Sequence, residues 1–203
     1  MIEIRRPVFV SGENPGLTLY APGTDRVMAV TSYWNCVASP WGIGHALVLW
    51  LKPEITTDKV AGRLSVFTDN LALAQGLVNS LTQYFTEFQG VQLAQLDYLN
   101  ARCQHTFDGD RYHVVCQTDA TQIEIVWGKI LDRKQVIWSR FPAGSEEYDL
   151  TTVICPCDEG QVKIDDVLLD GKVQTTKSAE GVAMSSAFLA FAETWIGPLT
   201  GKE

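Results

Sequence analysis

Residues 103–127 read CQHTFDGDRYHVVCQTDATQIEIVW, and the way this stretch pairs with itself decides the fold. Apolar residues alternate with polar ones along 112–117 and again along 122–130, the period of two that marks a half-buried strand. Between the runs sit two short turn sequences, Gly109-Asp110 and Asp119-Ala120. If each supplies the two central residues of a tight hairpin, the register follows. Phe107 then faces Tyr112, His105 faces Val114 and Cys103 faces Cys116. Across the second turn Cys116 faces Ile123, Val114 faces Ile125 and Tyr112 faces Trp127.

The two turns are independent, yet they agree about the faces. One face collects Cys103, His105, Phe107, Tyr112, Val114, Cys116, Ile123, Ile125 and Trp127; the other collects Gln104, Thr106, His113, Gln117, Gln122 and Glu124. A slip of one residue would put every apolar side chain into water, so the register is strongly specified. The wider segment 95–141 is read as the antiparallel wall of the fold. After Trp127 a two-residue turn at Asp132 and Arg133 would set Trp138 beside Trp127 and turn Arg140 inward. A bulged loop would turn Ile137 inward and Arg140 outward. The bulged form is expected, because an unpaired guanidinium on a core face is costly.

Working outward, 2–10, 17–20, 26–34, 46–51, 63–67 and 150–157 read as further strands, punctuated by Gly, Pro, Ser and Asn. Pro156 suggests an edge position. Residues 162–164 and 167–169 read as a small hairpin about Asp165 and Asp166, and 171–181 as loop. The period changes after Asp69: Leu71, Ala74, Leu77, Val78, Leu81, Tyr84, Phe85 and Phe88 form the stripe of an amphipathic helix over about 70–89. Asp69 is placed to cap it and Gly90 to end it. A shorter helix is expected over about 185–196, from the spacing of Phe188, Leu189, Ala192, Trp195 and Ile196; a strand is the alternative. The expected class is therefore α+β and β-rich, a bent antiparallel sheet or partial β-barrel with two helices, in a single domain spanning 1–203.

Composition narrows the function classes. With 46% hydrophobic and 20% charged residues the chain is that of an ordinary globular protein. A net charge of -8 argues against nucleic acid and anionic membrane as partners. The longest apolar run, 46–51, is far too short to span a bilayer, and no signal sequence is evident, so a soluble cytoplasmic protein is expected. Five cysteines, an odd number, read as reduced thiols. Cys155-Pro156-Cys157 lacks a second ligand pair for zinc, and no Walker loop, Gly-x-Ser-x-Gly elbow or Gly-x-Gly-x-x-Gly fingerprint is present. No metal and no cofactor are expected.

What remains is a sheet with a predicted inside. His105 lies on that inside and needs a hydrogen-bond partner there. The reading is a protein that binds a small apolar or aromatic molecule in a β-sheet cavity. His105, Tyr112, Trp127, Trp34, Trp41, His45 and Arg140 are the candidate lining residues. Two alternatives stand beside it: an enzyme using His105 or His45 as acid or base on such a ligand, and a structural domain that forms a homodimer.

Overall fold

The computed structural model describes residues 6–52, 55, 64–81, 96–143 and 146–197. Strands dominate. The chain opens with β1 (Val8–Glu13), β2 (Gly16–Tyr20), β3 (Val27–Ala38), β4 (Gly44–Leu51) and β5 (Leu64–Thr68), followed by helix α1 (Leu71–Leu81). Next come β6 (Asp97–Asn100), β7 (Arg102–Phe107), β8 (Tyr112–Gln117), β9 (Gln122–Ile130), β10 (Lys134–Ala143) and the long β11 (Glu146–Ile164). The short β12 (Val167–Leu168), β13 (Thr175–Lys177) and β14 (Ala183–Ser185) precede β15 (Ala187–Ile196).

One large sheet runs in the order β6-β5-β4-β3-β1-β15-β11-β9-β8-β7. β6 and β7 stand at opposite ends of that order, yet they are consecutive in the chain, joined through Ala101, whose amide donates to Thr68 O at 2.9 Å. The sheet must therefore bend until its two ends meet. The bend gives it two apolar faces. The inner one packs Tyr33, Leu47, Leu49 and Phe67 against Tyr112, Val114, Cys116, Ile125 and Trp127. The outer one packs Trp34, Val48 and Val66 against Leu73, Ala74, Leu77 and Val78 of α1.

The hairpin register is as the turns require: Cys103 pairs with Cys116, His105 with Val114 and Phe107 with Tyr112. Cys116 pairs with Ile123, Val114 with Ile125 and Tyr112 with Trp127. All the inward residues of β8 and β9 are buried. His105 and Phe107, on the terminal strand β7, are not, because the inner face opens at that end.

Four expectations need correction. First, 185–196 is not a helix: it is β15, a central strand between β1 and β11. Val153 pairs with Phe191 but Thr151 with Thr194, so β15 carries one extra residue. Ala192, with φ of 50°, sits in this bulge. It moves the odd-numbered residues from the inner face (Ala187, Leu189) to the outer one (Trp195). A strand covered on both faces and broken by a bulge imitates helical spacing.

Second, 134–141 does not fold back on β9. β11 is 19 residues long and serves both neighbours, pairing β10 through its first half and β9 through its second. Pro156 falls where the partner changes, on a strand flanked by β15, and not at a sheet edge. Arg140 does point outward, but Ile137 is 66% exposed, not inward, and Trp138 is nowhere beside Trp127.

Third, Asp69 is not the helix cap. Asn70 is: its Oδ1 accepts from Leu73 N at 3.1 Å, while its Nδ2 donates to Trp41 O and Ile43 O. Fourth, 171–181 is not all loop, since it holds β13, which pairs with β14 just beyond it. The expected continuation of α1 to 89 lies outside the described residues, as does its stop at Gly90. Within α1, Gly76 lets the Trp41 ring lie against the helix, where a Cβ would come within 2.1 Å of the indole.

Replacing Asn70 by Ala removes the cap and both loop bonds. A loss of about 1–2 kcal/mol is expected, read as a shift of the urea midpoint at unchanged slope.

Candidate functional site

The open end of the inner face carries the polar side chains. Glu13 at the end of β1 pairs across the sheet with Asn35 of β3, and Asn35 with His45 of β4, so three adjacent strands place them in one row. The bend brings β7 and β8 over this row. Glu13 Oε2 accepts from the Tyr112 hydroxyl at 2.6 Å and from Asn35 Nδ2 at 3.2 Å. His105 Nε2 stands 3.7 Å from the same oxygen and 3.4 Å from Asn35 Nδ2. Its Nδ1 is 3.4 Å from the Tyr33 hydroxyl. The His105 ring stacks on Tyr112, with centroids 5.4 Å apart.

His45 is held differently. Both oxygens of Asp69 engage it: Oδ1 accepts from its backbone amide at 2.7 Å and Oδ2 meets Nδ1 at 2.6 Å. A carboxylate there favours the tautomer with hydrogen on Nδ1 and leaves Nε2 as the available lone pair. Among the described residues no hydrogen bond ends on that Nε2. The His45 and His105 rings lie 6.0 Å apart, and Tyr33 stands 6.0 Å from His45 and 6.2 Å from His105. Both histidines and their carboxylates are partly open to solvent.

The two tyrosines stay protonated. Burial, followed by the nearby Cys116 and Cys103 thiols, Asp69 and Glu13, holds the Tyr33 phenol far above its usual range. Burial, followed by the bond to Glu13, does the same to Tyr112. Both phenols keep their hydrogens: Tyr112 donates to Glu13, and Tyr33 stands behind His105. Chemically, the rim offers two carboxylate-paired imidazoles side by side, one of them with an open nitrogen.

Of the residues singled out from the sequence, His45, His105 and Tyr112 meet here. Trp127 is next to Tyr112 but fully buried, with its indole N–H donating to Gly16 O at 2.9 Å. Trp34 and Trp41 lie on the outer face, Trp34 in the core beneath α1 and Trp41 against that helix and Phe9. Arg140 is exposed on β10 and pairs with Glu147 at 2.7 Å. Sequence reasoning missed Glu13, Tyr33, Asn35 and Asp69. Asn35 opposite His45 could have been found from a β3–β4 register, but the intervening loop is too irregular to fix one.

A separate apolar cleft of about 700 Å³ lies between the start of β1, the 38–43 loop and the start of β11, lined by Phe9, Pro40, Ile43 and Tyr148. Among the described residues no three His, Cys, Asp or Glu side chains are arranged to hold a metal ion, and no helix is long and apolar enough to cross a membrane.

Fold and rim together describe a bent-sheet protein with a polar, histidine-bearing opening. No protein-family model matches the chain, and no curated protein matches it. Among solved structures, an acetoacetate decarboxylase from Legionella pneumophila subsp. pneumophila str. Philadelphia 1 is similar over 98% of this chain and 88% of its own, at 10% identity and a TM-score of 0.41. A second acetoacetate decarboxylase structure is similar over 96% of this chain and 88% of its own, at 10% identity and a TM-score of 0.40.

Proposed function

We propose that this chain binds a small molecule at the rim where His45 and His105 meet. The ligand presents a hydrogen-bonding group to the two imidazoles and its apolar part to Phe107 and Phe191, which lie beside Tyr112. The observation that carries this reading is the Asp69 clamp on His45. It fixes the ring and leaves Nε2 open, 6.0 Å from a second histidine that stands beside its own carboxylate. The interior is packed with side chains at Tyr112, Ile125 and Trp127, so the ligand sits at the opening and not deep within the sheet.

Titration with the neutral apolar dye Nile red tests this. One saturable site is expected, weakened roughly ten-fold by His105→Ala or by Asp69→Asn, with the melting temperature little changed. Binding that survives both substitutions but is lost in Phe9→Ala would move the ligand to the cleft and end the proposal.

The same clamp favours a second reading, in which His45 takes a proton from its ligand as a general base. Release of nitrophenolate from p-nitrophenyl acetate is the probe. Turnover that falls at least ten-fold in both His45→Ala and Asp69→Asn supports it; equal rates in all three proteins refute it.

A further inference from the structure

We propose that Cys103 and Cys116 are a modification site, a cross-strand dithiol that closes to a disulfide on exposure to a peroxide. The argument begins with the hairpin. Asp108 N donates to Arg111 O at 3.2 Å, which makes that pair a hydrogen-bonded one. Such pairs alternate along an antiparallel ladder, so Phe107–Tyr112, His105–Val114 and Cys103–Cys116 are the non-hydrogen-bonded kind. In that kind the opposed Cα atoms are about 4.5 Å apart and the side chains are closest, inside the range a disulfide spans but roughly 1 Å short of its usual separation, so closure eases β7 away from β8.

The other cysteines do not share this geometry. Cys155 and Cys157 lie two apart on one strand, roughly 6.6 Å along it, and the Cys157 thiol already donates to Cys155 O at 3.4 Å. Cys36 belongs to the outer face. All five are free thiols in this structure.

The two sulfurs have different parts. Cys103 retains 6% exposure near the end of the sheet, whereas Cys116 has none. The Cys116 thiol is held well above its usual range, first by its contact with Cys103 and then by burial. Cys103 therefore attacks. Its sulfur bonds to one oxygen of hydrogen peroxide, the O–O bond breaks, and the departing hydroxide takes up the proton released from the Cys103 thiol and leaves as water. The resulting sulfenic acid is then attacked by the Cys116 sulfur. The S–S bond forms, the S–O bond breaks, and a second water leaves with the remaining proton. Two thiols are oxidised by two electrons and one peroxide is reduced to two waters.

Closure matters to the rim. β7 ends the strand order, and among the described residues its ladder partner is β8. His105 lies two residues beyond Cys103 on the same face, and Tyr33, 3.4 Å from His105, also feels both thiols. Tying β7 to β8 at Cys103 re-sets the ring of His105 against Tyr33 and Asn35. This second part rests on the ligand reading above.

The experiment treats the full chain with hydrogen peroxide and maps crosslinked peptides without reduction. The expected product has lost two hydrogens, joins Cys103 to Cys116, and reverts with dithiothreitol. Cys103→Ser and Cys116→Ser each abolish it, with Cys103→Val and Cys116→Ala as substitutes if a serine variant fails to fold, and Cys155→Ser does not. Absence of the crosslink, or a crosslink at Cys155–Cys157, overturns the proposal. Nile red affinity is then compared between the two redox forms, with roughly five-fold weakening or more expected on oxidation. Equal affinity overturns the coupling to the rim. A reduced protein that binds no dye refutes the ligand reading while leaving the disulfide standing.

Discussion

Glu193→Gln stabilises the protein above neutral pH and leaves it unchanged in mild acid. Glu193 follows the bulge in β15 and is 5% exposed, one of the few charged side chains in the core. Trp195 Nε1 donates to its Oε1 at 2.8 Å and Asn14 Nδ2 reaches the same atom at 3.4 Å, while Ser32 Oγ donates to Asn14 Oδ1 at 3.0 Å. Both bonds to the carboxyl favour its ionised form. Burial opposes them and dominates, pushing the group up to about 7 from an ordinary 4.5.

The direction of the pH effect follows. Between those two values the folded chain binds a proton that the unfolded chain has released. The favourable contribution is complete below about 4.5 and is lost as pH rises through about 7. The full change amounts to about 3 kcal/mol. For a chain of this size that is a melting-temperature difference of roughly 6–12 °C. Glutamine keeps an oxygen for Trp195 and Asn14 but has no charge to bury. Thermal melts of both proteins at pH 5 and pH 8.5 should therefore diverge, with the glutamine variant the more stable at the higher pH. A gap that stays constant across this range would show that Glu193 ionises freely in the fold.

Gly12→Ala unfolds much of the advantage of the β1–β3 pairing. A Cβ at Gly12 would come 2.2 Å from Asn35 O and 3.0 Å from both Asn35 C and Cys36 Cα. These are backbone atoms of the partner strand, at a point where the register already shifts between Ser11 and Gly12. No side chain can move aside, so the strands must separate. A loss of about 3 kcal/mol or more is expected, at the upper end for overpacking. It should appear as a lower urea midpoint. Glu13 is the next residue, and displacing it removes the acceptor of Tyr112 and Asn35. The variant should lose Nile red binding even at temperatures where it remains folded. An unfolding free energy within about 0.5 kcal/mol of the parent would mean that the bulge absorbs a methyl group at no cost.

Local pairing is legible in the chain. Two-residue turns fixed the pairing of β7 with β8 and of β8 with β9, because a short turn leaves one register and the alternation of faces permits no other. The stripe after Asp69 marked α1, and the spacing placed His105 and Tyr112 inside. Elements whose hydrogen-bond partners lie far along the chain are not legible in this way. β15 is a strand because both its faces are covered and β1 and β11 take its hydrogen bonds, and its own spacing could not reveal that. β10 joins β11 because β11 is long enough to hold two neighbours end to end. The rim itself is such a feature. Glu13, Asn35, His45 and Asp69 come from four separate segments, and they reach His105 because the sheet bends until β6 and β7 meet at Ala101. Contacts closed by a bend join residues far apart in the chain, and no periodicity within a strand encodes them.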